Sequence, residues 1–320
     1  MDKNVLVRLF EDAHINYYEV GSNLHARAGW INIDCPFCIN GDSNGHLGIN
    51  LDNAYGSCYK CGFHSLNSIL YTITGCKGTE LRQLKKDLHI SCTKTDKQII
   101  QGTAKRFILP GELITDKTTF AYQYLLERFK QYTDAIINNY QLHYTKFDYL
   151  FDTEKDGKPY QSSKYASKIV IPNVHETQIV SFQTRSYLPN EKHFITAKPD
   201  EELIHHKNFL WGDDYVMGDT VIICEAAFDA MTIGYGAVHS HGVNTTAQQV
   251  EELSTFKQVY IAFDMDKAGR DSAKKLANIL NHKTKVSIIG FGNQGEKDIN
   301  DLLKTKEGEK ELKEIQNLLT

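Results

Sequence analysis

The strongest constraint on the fold is a unit that occurs twice in the last third of the chain: a short apolar run that ends in carboxylates where a helix should begin. The first copy is Val221, Ile222, Ile223, Cys224 and Glu225, with Asp229 close behind. The second runs from Val259 through Phe263 into Asp264, Met265, Asp266, Lys267, Ala268, Gly269 and Arg270. Residues 221–224 are too few for a helix, and 225–235 tolerate one up to Gly234 and Gly236. The second copy predicts a strand over 259–263, a turn, and a helix over 270–281 with an apolar stripe on Ala273, Leu276, Ala277 and Leu280. Successive strand-to-helix units predict a parallel sheet, whose ligands gather at the carboxyl ends of the strands. Glu225, Asp264 and Asp266 are thus expected to converge, with Asp229 in support, as hard oxygen donors for Mg²⁺ or Mn²⁺. Any one Asp at a strand end also reads as a helix cap or turn residue. As a set, these carboxylates would repel one another unless a cation offset the charge.

These residues resemble a known family. Glu225-x-x-x-Asp229, then Asp264-x-Asp266-x-Ala268-Gly269-Arg270, then Lys297-Asp298-Ile299-Asn300-Asp301 look like the TOPRIM domain shared by bacterial-type DNA primases, type IA and II topoisomerases and some nucleases. The wording around Asp264 is closest to primases, and Ala226 stands where the family usually has Gly. The resemblance implies that Glu225, Asp264, Asp266 and Asp229 form the catalytic set. The acidic stretch after Lys297 is the weaker match and reads as mainly structural.

Of the seven cysteines, Cys35 and Cys38 form one CxxC knuckle and Cys58 and Cys61 another. The two-residue gap lets both sulfurs of a knuckle face one ion, and the spacing between knuckles is that of a zinc ribbon. The intervening Leu47, Gly48, Ile49, Asn50 and Leu51 alternate as hairpin strands do. Two disulfides are the competing reading, disfavoured in a reducing compartment. His46 and His64 lie near enough in sequence to replace a ligand, although four thiolates already complete a tetrahedron. Cys76, Cys92 and Cys224 have no paired spacing and read as ordinary thiols. The Cys-Pro-Phe-Cys and Cys-Tyr-Lys-Cys-Gly wording resembles the N-terminal zinc-binding domain of primases in its four-Cys phage form. That family's module helps select the template trinucleotide and hold the primer. Trp30, Tyr55, Tyr59 and Lys60 then either meet nucleic acid or, for the aromatics, pack a small core; both readings stay open.

In the middle of the chain, 117–139 predicts an amphipathic helical region with Phe120, Tyr124, Leu125, Phe129, Ile136 and Ile137 buried. Two strand-like runs follow, over Lys168–Pro172 and Ile179–Arg185. With Lys192 and then Lys207 and Trp211, their order resembles the basic motifs of the primase polymerase core. By that match Arg185, Lys192 and Lys207, with Lys168 as a lesser candidate, bind template or nucleotide phosphates.

The net charge of −4 argues against indiscriminate nucleic-acid binding, and positive charge is concentrated over 77–106. That stretch reads as a solvated tether or as a DNA-contact patch. No apolar run reaches the ~18 residues of a membrane span, and the sequence after Met1 lacks a secretory apolar core, so a cytoplasmic protein is expected, in the host cell if phage-encoded. The expected class is α/β: a small β-rich zinc ribbon over 1–75, a basic linker over 76–110, an α+β primase subdomain over 111–215, a TOPRIM domain with a parallel sheet over 216–300, and a charged C-terminal helix over 301–320. The resemblance implies a DNA primase that starts RNA primers on single-stranded DNA from ribonucleoside triphosphates, with one structural Zn²⁺ and catalytic Mg²⁺ or Mn²⁺. No phosphate-binding Gly-x-x-x-x-Gly-Lys-Ser/Thr loop occurs, so a separate replicative helicase is the expected partner. A TOPRIM nuclease and a non-catalytic, zinc-dependent DNA-binding adaptor are the alternatives. Glu225 is open as either metal ligand or general base.

Overall fold

The computed structural model describes residues 1–39, 41–52, 54–88, 107–155, 158–189, 191, 194–292 and 295–320. The elements run, in chain order, α1 (Lys3–Asp12), β1 (Tyr17–Tyr18), β2 (Trp30–Ile33), β3 (Leu47–Asn50), β4 (Tyr55–Cys58), β5 (Gly62–Ser65), α2 (Leu66–Thr74) and α3 (Gly78–Asp87). Then come β6 (Glu112–Leu113), α4 (Phe120–Phe129), α5 (Thr133–Tyr140), β7 (His143–Tyr144), β8 (Phe151–Lys155), β9 (Lys158–Ser162), β10 (Lys168–His175), β11 (Gln178–Ser186) and β12 (Phe194–Thr196). The last are β13 (Thr220–Cys224), α6 (Ala227–Ile233), β14 (Ala237–His239), α7 (Ala247–Ser254), β15 (Gln258–Ile261), α8 (Lys267–Leu280), β16 (Lys285–Ile288) and α9 (Lys306–Gln316). Among the described residues no helix is long and apolar enough to cross a membrane.

The chain divides into two compact units, one within Met1–Lys94, Lys207–Phe291 and Ile315–Thr320, the other within Thr95–His206 and Gly292–Glu314. The first unit holds two sheets. One is an antiparallel meander in the order β1-β2-β3-β4-β5. It packs its apolar side chains, Ile31, Ile33, Leu47 and Ile49, with Leu6 and Phe10 of α1 and Ile69 and Leu70 of α2. The other is parallel, in the order β14-β13-β15-β16, as the repeated strand-to-helix units require. Its core joins Val221, Ile223, Val259 and Ile261 to the expected stripe Ala273, Leu276, Ala277 and Leu280, all buried.

The second unit contains an antiparallel sheet in the order β12-β11-β10-β7-β6, beside a separate β8-β9 hairpin. The two long strands here are the expected runs at 168 and 179, extended to His175 and Ser186. The amphipathic region at 117–139 becomes α4 and α5, broken by a 3₁₀ turn at Lys130–Tyr132, where Lys130 has a positive φ of 53°. Leu125, Phe129, Ile136 and Ile137 are buried as expected, but Phe120 is 67% exposed. It occupies the first position of α4 and lies edge-on to the exposed Phe147 ring.

Within the first unit, the ribbon's α2 and β5 pack against α7 of the parallel sheet. The junction is polar at its centre. Glu252 of α7 is 1% exposed and accepts hydrogen bonds from Ser65 Oγ and Asn67 Nδ2. Asn67 Nδ2 also donates to Asp213 Oδ2 at 3.0 Å, and Gly78 N donates to Thr255 O at 3.0 Å. Burial pushes the Glu252 carboxyl up to about 8, with repulsion from Asp213 acting in the same direction. An acid whose folded pKa is raised contributes stability that is complete below its ordinary value, 4.5 here, and is lost as pH rises through the folded value. We therefore expect thermal unfolding to occur at falling temperature between those limits, and Glu252→Gln to flatten the decline. Equal slopes for both proteins across a pH series of melting curves would contradict the assignment.

Candidate metal sites

Each ribbon knuckle is set by the end of a strand. Cys35 follows β2, Cys58 closes β4, and Cys61 precedes β5, with Leu47 paired to Cys58 across the sheet. The sulfurs of Cys35 and Cys61 lie 3.5 Å apart, those of Cys38 and Cys61 3.6 Å, and those of Cys38 and Cys58 3.7 Å. All four ligand atoms fall within 4.8 Å of one another. A tetrahedral Zn²⁺ with Zn–S bonds of about 2.3 Å requires sulfurs about 3.8 Å apart, whereas a disulfide requires about 2 Å. The geometry therefore fits one zinc and excludes two disulfides. Burial pushes the Cys35 thiol up to about 12 and the Cys61 thiol up as well, so a cation is needed to hold these sulfurs as thiolates at neutral pH.

The support around the cysteines was not legible as such. Asp42, with its side chain fully buried, accepts hydrogen bonds from the backbone N–H groups of Cys35 and His46, each at 2.9 Å. Burial would raise its carboxyl, but the backbone donors, with His46, outweigh that and hold it well below the usual range. His46 is thereby engaged by Asp42 Oδ1. His64 Nε2 lies 3.1 Å from Cys61 Sγ, and its Nδ1 lies 3.2 Å from Glu251 Oε2 of α7. Both histidines therefore surround the cysteine cluster from outside it, as groups that orient metal ligands do. Of the flanking aromatics, Tyr55 is buried and meets Trp30 edge-on at 5.6 Å, while Tyr59 is 57% exposed.

The acidic site is built by strand register. β13 and β15 are parallel neighbours with Ile223 beside Ile261, which carries Glu225 and Asp264 to the same sheet end. Glu225 Oε1 accepts a hydrogen bond from Asp264 N at 3.2 Å. Asp266 is the N-cap of α8 and accepts from Gly269 N at 2.8 Å, so the helix starts at Lys267 rather than at 270. Burial pushes the Glu225 carboxyl up to about 7, and the charges of Asp264 and Asp266 add to the rise. Asp229 lies in the first turn of α6 and is buried. Hard carboxylates of this kind suit a cation that keeps water or phosphate oxygens in part of its shell.

Gly269 makes the acidic site possible. A Cβ there would stand 2.2 Å from the Asp264 carbonyl oxygen and 2.7 Å from Glu225 Oε1. The first turn of α8 can approach the strand end only without a side chain at this position.

The basic candidates have varied surroundings. Lys168 is buried in β10 and paired with Glu191. Arg185 in β11 donates from Nε to Tyr124 Oη at 2.6 Å, and its guanidinium lies 4.7 Å from the Phe194 ring centre. Lys207 donates from Nζ to the carbonyls of Ser240 at 2.9 Å, His241 at 2.8 Å and Asn244 at 3.2 Å, and desolvation lowers its pKa. Lys192 lies outside the described residues, as do Cys92 and residues 89–106 of the basic stretch. Asp298 accepts from Asp301 N at 2.8 Å, and Asn300 Oδ1 accepts from Arg128 at 3.3 Å, which gives the acidic stretch after Lys297 structural contacts.

The part of the chain that carries the strand-end carboxylates on the parallel sheet matches the Toprim-like family model over residues 222–303. Over 64% of the chain the fold is similar to that of DnaG-type primase cores. It is similar to a DnaG primase catalytic domain bound to ssDNA, with a TM-score of 0.52, 16% identity and coverage of 64% of this chain and 74% of that one. It is likewise similar to the E. coli primase catalytic core, with a TM-score of 0.50, 18% identity and coverage of 64% and 75%. A DNA helicase/primase of Enterobacteria phage T3 is 27% identical over 148 residues, 42% of this chain. The match spans 23% of that curated relative's length.

Substituting Gly269→Ala should cost about 1–3 kcal/mol through the forced displacement of Asp264 and Glu225. Chemical denaturation measures the loss, and an unchanged midpoint would argue against the close approach. At the ribbon, Co²⁺ substitution should give intense thiolate-to-metal charge-transfer absorption, and Cys58→Ser should weaken it sharply.

Proposed function

We propose that the chain is a DNA primase, a nucleotidyltransferase that starts short RNA primers on single-stranded DNA. The observation that carries this reading is the placement of Glu225 and Asp264 on adjacent parallel strand ends within a DnaG-type core. The same chain carries a four-cysteine ribbon. Glu225, Asp264 and Asp266 are the residues that would hold Mg²⁺ or Mn²⁺, with Asp229 buried behind them. When bound, such an ion offsets charge on phosphoryl oxygens and orients them.

The protein's own groups perform the remaining tasks. Glu225, with its carboxyl near 7, exchanges a proton readily at neutral pH and so serves either as ligand or as general base. Arg185, Lys192, Lys207 and Lys168 are the proposed contacts to template and nucleotide phosphates. Arg185 is the best prepared, because Tyr124 fixes its Nε and leaves a planar guanidinium held against Phe194. Lys168 is the least prepared, since Glu191 already offsets its charge. The exposed Tyr59 offers a ring for a template base. Ribonucleoside triphosphates are the proposed substrates, and a replicative helicase is the proposed partner. The phage T3 relative bears both helicase and primase in its name.

The test is incubation with single-stranded DNA, ribonucleotides and Mg²⁺. Labelled oligoribonucleotides are expected, reduced by ~10²-fold or more in Asp264→Asn and Asp266→Asn. The Asn at 266 keeps the helix cap, so a loss there is not a folding effect. Shortened DNA in place of new RNA would favour a nuclease, and DNA binding with no product would favour the adaptor.

A further inference from the structure

The geometry points to an additional transition-metal site formed by Glu202, His205 and His206, for a divalent ion of the Zn²⁺, Co²⁺ or Ni²⁺ class. It lies wholly in the second unit and shares no residue with the cysteine or carboxylate sites. One donor atom from each residue falls within 4.8 Å of the other two.

The decisive feature is the carboxylate. The Glu202 side chain is 1% exposed, and its Oε1 has no hydrogen-bond partner. Its other oxygen is well held, by Ser181 Oγ at 2.6 Å, by His206 N at 3.2 Å and by His206 Nδ1 at 3.1 Å. Oε1 instead faces His205 Nε2 across 3.8 Å, too far for a hydrogen bond. Ligands about 2.0–2.1 Å from a tetrahedral ion lie about 3.3–3.4 Å apart. The 3.8 Å between Glu202 Oε1 and His205 Nε2 is close to that separation.

The frame is rigid where it must be. Leu203 N donates to Val180 O at 2.7 Å, which anchors the segment to β11, and Ile204 is buried. The two imidazoles stack at 4.5 Å with 19° between their planes. Ser181 supplies the kind of outer hydrogen bond that fixes a ligating carboxylate. Two imidazoles and one carboxylate select borderline first-row ions over Mg²⁺ or Ca²⁺. The His205 side chain is 40% exposed, so water can complete the shell on that side.

The experiment uses untagged full-length protein, zinc-loaded at the cysteines, in excess Mg²⁺ to occupy the hard carboxylates. Isothermal titration with Ni²⁺ should reveal one further equivalent per chain. His205→Ala and Glu202→Gln should each weaken that binding by ~10-fold or more. Ni²⁺ should also raise the unfolding temperature of the parent protein and leave that of His205→Ala unmoved. His205 is partly exposed, so its variant is expected to fold. Absence of the extra equivalent, or its retention at equal affinity in both variants, would falsify the site.

Discussion

The acidic site depends on one structural constraint, the parallel register that sets Ile223 beside Ile261. Parallel strands end together at one edge, so residues far apart in sequence arrive at the same edge without any loop reaching for them. Glu225 and Asp264 follow directly, and the turn after β15 places Asp266 one step further as a helix cap. The arrangement buries and crowds negative charge: burial is the larger cause of the rise in the Glu225 carboxyl, and the charges of Asp264 and Asp266 add to it. Gly269 permits it, because the approach of α8 leaves no room for a methyl group between Asp264 and Glu225. Sheet register, helix cap and glycine thus act on the same few ångströms.

The ribbon solves a different problem. Its cysteines Cys35 and Cys58 belong to the apolar core of the β-meander, and Asp42 holds the first knuckle through the backbone N–H of Cys35. A bound ion there substitutes for buried area. The ribbon also rests on α7 through Ser65, Asn67 and His64. His64 links Cys61 Sγ to Glu251, so one side chain touches both the ligand set and the neighbouring helix. The charge state of α7 carboxylates and the order of the second knuckle are therefore physically adjacent.

Periodicity and spacing made much of this visible in the sequence. The strand-to-helix units at 221 and 259, the buried stripe of α8 and the cysteine spacing are local patterns, and the local structure follows them. What escaped was set by tertiary contact. Glu252 reads as one more polar residue of an amphipathic helix, and only the ribbon's arrival buries it. Phe120 shows the converse, since an apolar residue at a helix's first position need not face the core. Lys168 and Lys207 are expected from the sequence to meet phosphates, and the structure engages them with Glu191 and with three loop carbonyls. Partners of charged side chains come from distant sequence, where no periodic pattern records them. The adjacent His205 and His206 gave no spacing signal, because their common partner Glu202 acquires meaning only once β11 buries it.

The donor chemistry separates the first unit's two metal sites by role as well as by position. Thiolates bind a borderline ion tightly and leave no coordination site open, so occupancy of the cysteine cluster is coupled to whether the ribbon is folded. Carboxylates bind a hard ion loosely and leave positions for water or phosphate, so occupancy of the acidic site can change without unfolding anything. The structure shows the tight side of this difference in the four sulfurs drawn within 4.8 Å of one another. A hard divalent ion has little affinity for sulfur, so it would not compete for the cysteine cluster. The register that brings Glu225 to Asp264 therefore has to be maintained by the sheet and by Gly269, because a loosely held cation cannot supply the order that zinc gives the ribbon.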